Sequence, residues 1–147
     1  MNGIWSNNIL ISSILAWAVA QVIKAVLFAI INKRFDFSRL FGDGGMPSCH
    51  SATVTAMAAS AALSCGLSSP VFAVAAITAI IVMHDAMGVR LETGKQAKLL
   101  NELVSHITDS SFSHEEKLKE LVGHTPLQVV CGALVGLIVT FIVNLLL

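Results

Sequence analysis

Apolar residues run through this chain in long blocks rather than in alternation. From Ile9 to Ile31 the only charge is Lys24. Ser51 to Leu67 is uncharged, shorter and rich in alanine. Val71 to Met87 is apolar until His84 and Asp85, and Pro126 to Leu147 carries no charge. A membrane-crossing helix needs about 20 mostly apolar residues. The pattern therefore predicts an all-α integral membrane bundle with about four transmembrane helices, at 9–31, 51–67, 71–87 and 126–147, and short interfacial helices. Residues 1–147 read as a single membrane-embedded domain. Small residues on the second span (Ala52, Ala56, Ala59, Ser60) and the G-x-x-x-G of Gly132 and Gly136 on the fourth suit close packing of helices in lipid.

Between the spans, Gly66 to Pro70 is a short turn on one side. The other side holds Asn32 to His50 and the long segment 88–125. In that segment Ala97, Leu100, Val104 and Ile107 recur at helical spacing, predicting an amphipathic helix over Lys95 to Ile107. Ser113 to Glu116 reads as a capping box opening a second short helix, with Leu118, Leu121 and Val122 as its apolar face. The first of these suits a membrane surface; the second suits a surface helix or a solvated connector equally well.

Composition narrows the class. Hydrophobic residues make up 55% and charged ones 12%, against about 45–50% and about 25% in soluble domains. Mean hydropathy is +0.79. A soluble domain cannot hide that much apolar surface, and disordered chains are polar. The formal net charge of +0 argues against a nucleic-acid partner, which basic proteins bind through phosphates. Cys49, Cys65 and Cys131 show neither disulfide nor zinc spacing. Mapped onto the spans, Lys33, Arg34, Arg39, Arg90, Lys95, Lys98, Lys117 and Lys119 all lie on the side of segment 88–125. The positive-inside rule then places that side in the cytoplasm, with both termini outside it, as in a bacterial-type inner membrane.

Polar groups inside a membrane are costly, and each is a functional candidate. Here they gather at one depth. Lys24 lies roughly 10 Å below the charged-side end of its span, at about 1.5 Å per residue, with Gln21 on the same face. His50 opens the second span; His84, Asp85 and Arg90 close the third; His124 precedes the fourth. Two segments carry local signatures. Gly44-Gly45-Met46-Pro47-Ser48-Cys49-His50-Ser51 is a tight turn running straight into a helix. Its first-turn amides suit an anion, and its histidine suits proton donation to an oxygen leaving phosphorus. A helix cap beside an interfacial histidine is the structural alternative. In Gly123-His124-Thr125-Pro126-Leu127-Gln128, Pro126 suits the first helical position and Thr125 with Gln128 forms a T-x-x-Q capping box. That box gives Gln128 a purely structural explanation. It does not need His124, which suits a nucleophile oriented through its other ring nitrogen.

At these residues the chain resembles the type 2 phosphatidic acid phosphatase superfamily, which also includes vanadium haloperoxidases. Its motifs are K-x6-R-P, P-S-G-H and S-R-x5-H-x3-D. Pro47-Ser48-Cys49-His50 resembles the second, with Cys for Gly, and His124 with Gln128 has the H-x3-D spacing. The likeness is closer to the small divergent branch, with G-G-M-P-S-S-H-S-A, D-A-x-G-V-R and G-H-T-P-x-E. Gly44 to Ala52, Asp85 to Arg90, Gly94 to Ala97 and Gly123 to Gln128 all read like it, so the likeness covers nearly the whole chain. The resemblance implies that His124 attacks phosphorus to form a phosphohistidine and that His50 protonates the leaving oxygen. It implies that Lys24, Arg39, Arg90 and Lys95, with the backbone around Ser48, hold the phosphate. No metal or other cofactor is implied.

The chain also departs from the motifs. Ile31 stands where K-x6-R-P has Arg, Leu118 where the third motif has Arg, and Gln128 where it has Asp. Arg90 and Asp85 are the residues expected to substitute, Asp85 provided that span three packs beside span four.

The expected function is a membrane-embedded phosphatase acting on a lipid phosphate or diphosphate, surrounded by membrane lipids, with a homo-oligomer paired through the second or fourth span as a possible assembly. The alternative is a non-catalytic binder of anionic lipid, or a small subunit of a membrane complex. Haloperoxidase chemistry and transport fit less well: four spans suit a lipid substrate, and the charges sit at one end rather than at mid-membrane.

Overall fold

The computed structural model describes residues 6–33, 45–107, 118 and 123–146. Among them lie five helices and no strand: α1 (Asn8–Asn32), α2 (Cys49–Cys65), α3 (Pro70–Met87), α4 (Val89–Ile107) and α5 (Pro126–Leu146). Short polar residues set the starts. Asn7 Oδ1 accepts from the Leu10 amide at 3.1 Å. Ser69 caps α3 by accepting from the Phe72 amide at 3.1 Å, with Pro70 following at the first helical position. α1 ends on Lys33 in the left-handed region (φ 50°). α4 starts at Val89, directly after a break at Gly88, rather than at Lys95, and ends at Ile107 as the periodicity predicts. The second predicted short helix, from Ser113 through Leu121 and Val122, lies outside the described residues apart from Leu118. Leu118 is gripped from α4 by Asn101, whose amide bonds its backbone carbonyl at 2.9 Å and its N–H at 3.0 Å.

Among the described residues, three helical stretches are long and apolar enough to cross a membrane: Asn8–Asn32, Pro70–Ser105 and Pro126–Leu146. The expected second span is different in kind. α2 has 17 residues, one fewer than α3, about 25 Å at 1.5 Å per residue, at the short end of the range for a membrane crossing. It sits at the centre of the bundle, packed against α1, α3 and α5. Because its neighbours are helices rather than lipid, it is built of alanine, serine and threonine instead of large apolar residues.

The interior is small and partly polar. Ala16, Ala20, Ala52 and Ala56 are fully buried, and the largest fully buried side chains are Thr140, Ser12, Ser48, Ser51 and Ser60. The large apolar side chains point outward: Ile30 and Val74 are each 68% exposed and Leu145 86%. This inverts the soluble pattern. It is what a bundle needs when lipid solvates large side chains and small ones let backbones approach.

α5 and α2 approach each other closely. A methyl on Gly132 would overlap the Ser48 carbonyl, and one on Gly136 the Ala52 carbonyl. One turn on, Thr140 Oγ1 donates to Gly136 O at 2.9 Å and lies 3.3 Å from Ala56 O. The G-x-x-x-G face predicted for packing therefore packs within the chain.

Candidate active site

The turn into α2 carries the first half of the site. Gly45 has φ +91°, the Met46–Pro47 peptide is cis, and Ser48 caps the helix. Ser48 is fully buried. Its Oγ accepts from the Ser51 amide at 3.3 Å and pairs with Ser51 Oγ at 3.0 Å. Its backbone N–H donates to Gln128 O at 3.1 Å, bolting this turn to the start of α5. Gly132 makes that contact possible by leaving room for the Ser48 carbonyl.

The second half is the turn into α5. Gly123 has φ +91°, and a methyl there would meet Arg90 C at 2.6 Å and Leu91 Cα at 2.7 Å. Only glycine fits, on both counts. The turn is thereby pressed on the α3–α4 junction, where the His124 N–H donates to Ala86 O at 2.9 Å. The predicted capping box is present: Gln128 N–H donates to Thr125 Oγ1 at 3.4 Å, and Thr125 N–H donates to Gln128 Oε1 at 3.0 Å. The same Oε1 stands 3.3 Å from His124 Nδ1. A backbone N–H only donates, so the Gln128 atom it meets is the oxygen. His124 Nδ1 must then be the donor, which leaves Nε2 as the nitrogen with the lone pair.

These two turns bring His50 and His124 together, with ring centroids 6.3 Å apart and planes at 52°. With hydrogen-bond reach near 3 Å on either side, one phosphoryl group spans that gap. His124 is buried, whereas His50 is exposed. Cys49 Sγ lies 3.9 Å from His50 Nδ1. Burial pushes the Cys49 thiol up, but the hydrogen bond and charge of His50, with the charge of Lys24, outweigh it and hold the thiol below its ordinary value. Lys24 is 6% exposed, and its stem lies alongside Gly45, whose missing side chain makes room for it. One turn away, buried Gln21 has an Oε1 without a hydrogen-bond partner among the described residues.

A cavity of about 180 Å³ opens beside Lys24. Apart from Lys24 and Asn32 its lining is apolar or backbone: Leu27, Phe28, Ile31, Gly45 and Met46. A larger one, about 530 Å³, lies at the other end between α1, α2 and α3, lined by residues such as Ile9, Met57 and Val71, with no ionisable group.

Other expected members stand elsewhere. Asp85 Oδ2 takes Arg90 Nε at 2.6 Å, with the two side chains 38% and 54% exposed. Asp85 is thus the partner of Arg90, and Gln128 is the group on His124 Nδ1. Lys95 pairs with Glu92 at 2.7 Å on an exposed face of α4. Arg39 lies outside the described residues. Among the described residues no cluster of His, Cys, Asp and Glu could hold a metal. The sequence, whose cysteine spacing points to neither a disulfide nor zinc, offered one signal for Cys49: its place between Ser48 and His50 at a helix start. It had no signal for the Ala86 carbonyl, whose role depends on tertiary contact alone.

The model of the Divergent PAP2 family matches residues 5–139. A Bacillus subtilis (strain 168) protein described as an uncharacterized membrane protein, YuiD, is 43% identical, the match covering 93% of this chain and 94% of that one. No solved structure matches.

Proposed function

The chain belongs to the Divergent PAP2 family, and from that premise we propose that it is a membrane-embedded phosphatase of lipid phosphates or diphosphates. The observation that carries this reading is the histidine pair: two imidazoles 6.3 Å apart, one of them with its lone pair assigned to Nε2 by a fixed neighbour.

The proposed chemistry runs through these groups. His124 Nε2 attacks phosphorus while the bond to the leaving oxygen breaks. That oxygen takes a proton from His50, and His124 becomes a phosphohistidine with positive charge on its ring. Gln128 Oε1 holds the Nδ1 proton throughout and supports that charge with its dipole. Water then attacks phosphorus, with His50 now accepting the proton. Lys24 and the first-turn amides of α2 that Ser48 does not cap balance the phosphoryl oxygens. Arg90 reaches the same phosphate in this scheme once it exchanges Asp85 for it. A lipid substrate suits the place: the cavity beside Lys24 is otherwise mostly apolar and opens at the end of a membrane helix. The positive-inside rule puts this end at the cytoplasmic face.

The test is phosphate release by the purified protein in detergent from a panel of lipid phosphates and diphosphates. Wild type should turn over, and His124→Ala and His50→Ala should each lose at least about a hundredfold, the usual size of a general acid–base contribution. Equal background rates for wild type and His124→Ala end the proposal. One observation favours a second reading. An amide stands where the family motif has a carboxylate, and the nearby Asp85 is held by Arg90. A non-catalytic binder of anionic lipid headgroups would bind lipid phosphate tightly and release none.

A further inference from the structure

His50 follows a residue that is glycine, with nothing to touch a ring, in the P-S-G-H motif and serine in the closer G-G-M-P-S-S-H-S-A motif. Here the residue is Cys49, and its sulfur lies 3.9 Å from His50 Nδ1. The contact is directional. Cys49 is 6% exposed and belongs to the packed core with Ala20 and Ala52, whereas His50 is exposed. The sulfur therefore anchors the ring from the protein side, and Nε2, on the opposite edge of the imidazole, is directed away from it. Cys49 is also the first residue of α2, where the helix dipole favours a thiolate.

We propose that Cys49 is a positioning residue for His50: its sulfur holds the Nδ1 edge, presents Nε2 to the leaving oxygen and sustains the imidazolium that donates there. This rests on the phosphatase reading for its purpose, though not for its physical content. The step balances simply. The P–O bond breaks with its electron pair on oxygen, and that oxygen takes the Nε2 proton. His50 ends neutral, with its remaining proton on Nδ1 facing sulfur. The sulfur forms no covalent bond.

Among the described residues, the charged and titratable groups on the elements packed against α2 are Lys24 on α1, His84 and Asp85 on α3, and Cys131 on α5, with His124 just before α5; α4, which packs on α3, carries Arg90, Glu92, Lys95, Lys98 and Glu102. Lys24 adds to the positive field on the thiol. His124 faces His50 across the gap, and Asp85 is engaged by Arg90. Cys49 is thus a group in contact with His50 Nδ1 that can take up negative charge.

The experiment is NMR titration of ring-labelled histidine in the full-length protein in detergent, for wild type, Cys49→Ala and Cys49→Ser, with thermal unfolding as the check on folding. The near-isosteric serine keeps the test open should alanine leave a damaging void. Without the sulfur, the His50 imidazolium should lose its proton at lower pH, by about half a pH unit or more, a threefold or larger change in its protonation equilibrium. Because protonated His50 is the acid, activity falls as pH rises through its pKa, and this alkaline limb of kcat should move to lower pH by the same amount. A His50 titration unchanged in folded Cys49→Ala or Cys49→Ser overturns the proposal. If wild type releases no phosphate but the ring titration shifts, the phosphatase reading fails and the Cys49–His50 coupling stands.

Discussion

A backbone amide can only donate, and that asymmetry decides what Gln128 does for His124. When an aspartate behind a catalytic histidine is replaced by asparagine in a serine protease, the rate drops by about 10⁴ because the wrong tautomer is favoured. Here the Thr125 N–H already claims Gln128 Oε1, so the amide presents oxygen, not NH₂, to His124 Nδ1. The tautomer penalty is avoided, and what is missing relative to a carboxylate is charge. Gln128→Glu should therefore raise kcat, by about tenfold if the carboxylate adds about 1.4 kcal/mol to the phosphohistidine transition state. Gln128→Ala removes both the tautomer lock and the cap. It should lower kcat by about 10² or more and cost about 1 kcal/mol of stability. Steady-state kinetics and thermal unfolding in detergent separate the two effects. A Gln128→Glu variant slower than wild type would show that the oxygen's charge is not what limits the reaction.

Along α5, packing and hydrogen bonding can be weighed against each other. Gly132 and Gly136 let carbonyls of the α2 segment touch the α5 backbone, and methyl groups there would collide with backbone rather than with movable side chains. Gly132→Ala and Gly136→Ala should each destabilise by about 1–3 kcal/mol, the usual range for overpacking. Gly132→Ala should also reduce activity, because the atom it strikes belongs to Ser48, the cap of the helix that bears His50. Thr140→Val keeps the shape and removes a buried hydroxyl that already has an acceptor in its own helix. Interhelical bonds of this kind average about 0.6 kcal/mol in membranes, so the valine variant should melt well above either alanine variant. The reverse order would mean that the α2–α5 contact is held by polar groups rather than by close approach. Gly123→Ala has no room either, against Arg90 and Leu91, and the damage there falls on His124.

For the molecule as a whole, charge and exposure point the same way. The exposed surface of the spanning helices is large and apolar, the interior is alanine, glycine and serine, and the charged side chains among the described residues lie toward one end. If the positive-inside rule governs, the α2–α3 turn faces away from the cytoplasm. Cys65 is exposed there. In a chain with Cys49 and Cys131 replaced, a membrane-impermeant maleimide should label Cys65 in intact cells. Labelling only after permeabilisation would reverse the orientation and move the histidine pair to the outer face.

Much of this was legible along the chain, because lipid imposes a local rule. A helix that faces hydrocarbon must be apolar for about 20 residues, so the ends of α1, α3 and α5 could be placed to within a residue or so. The T-x-x-Q cap and the G-x-x-x-G face are likewise short-range patterns, and the histidines stood out because polar groups at membrane depth are rare. What could not be read was which polar group meets which. That α2 is the central helix of the bundle could not be read either, since being enclosed by other helices leaves no mark on a sequence beyond small residues. Asp85 looked like the partner of His124, but Arg90, five residues on, reaches it first. Gln128, already oriented by its cap, takes the place on the ring. Cys49 looked inert until the fold put its sulfur on His50. Hydrophobic patterning is set residue by residue through transfer from water to lipid. The pairing of polar groups is set by distances of a few ångströms between chain-distant turns, which exist only once Gly123, Gly132 and Gly136 have let the helices close.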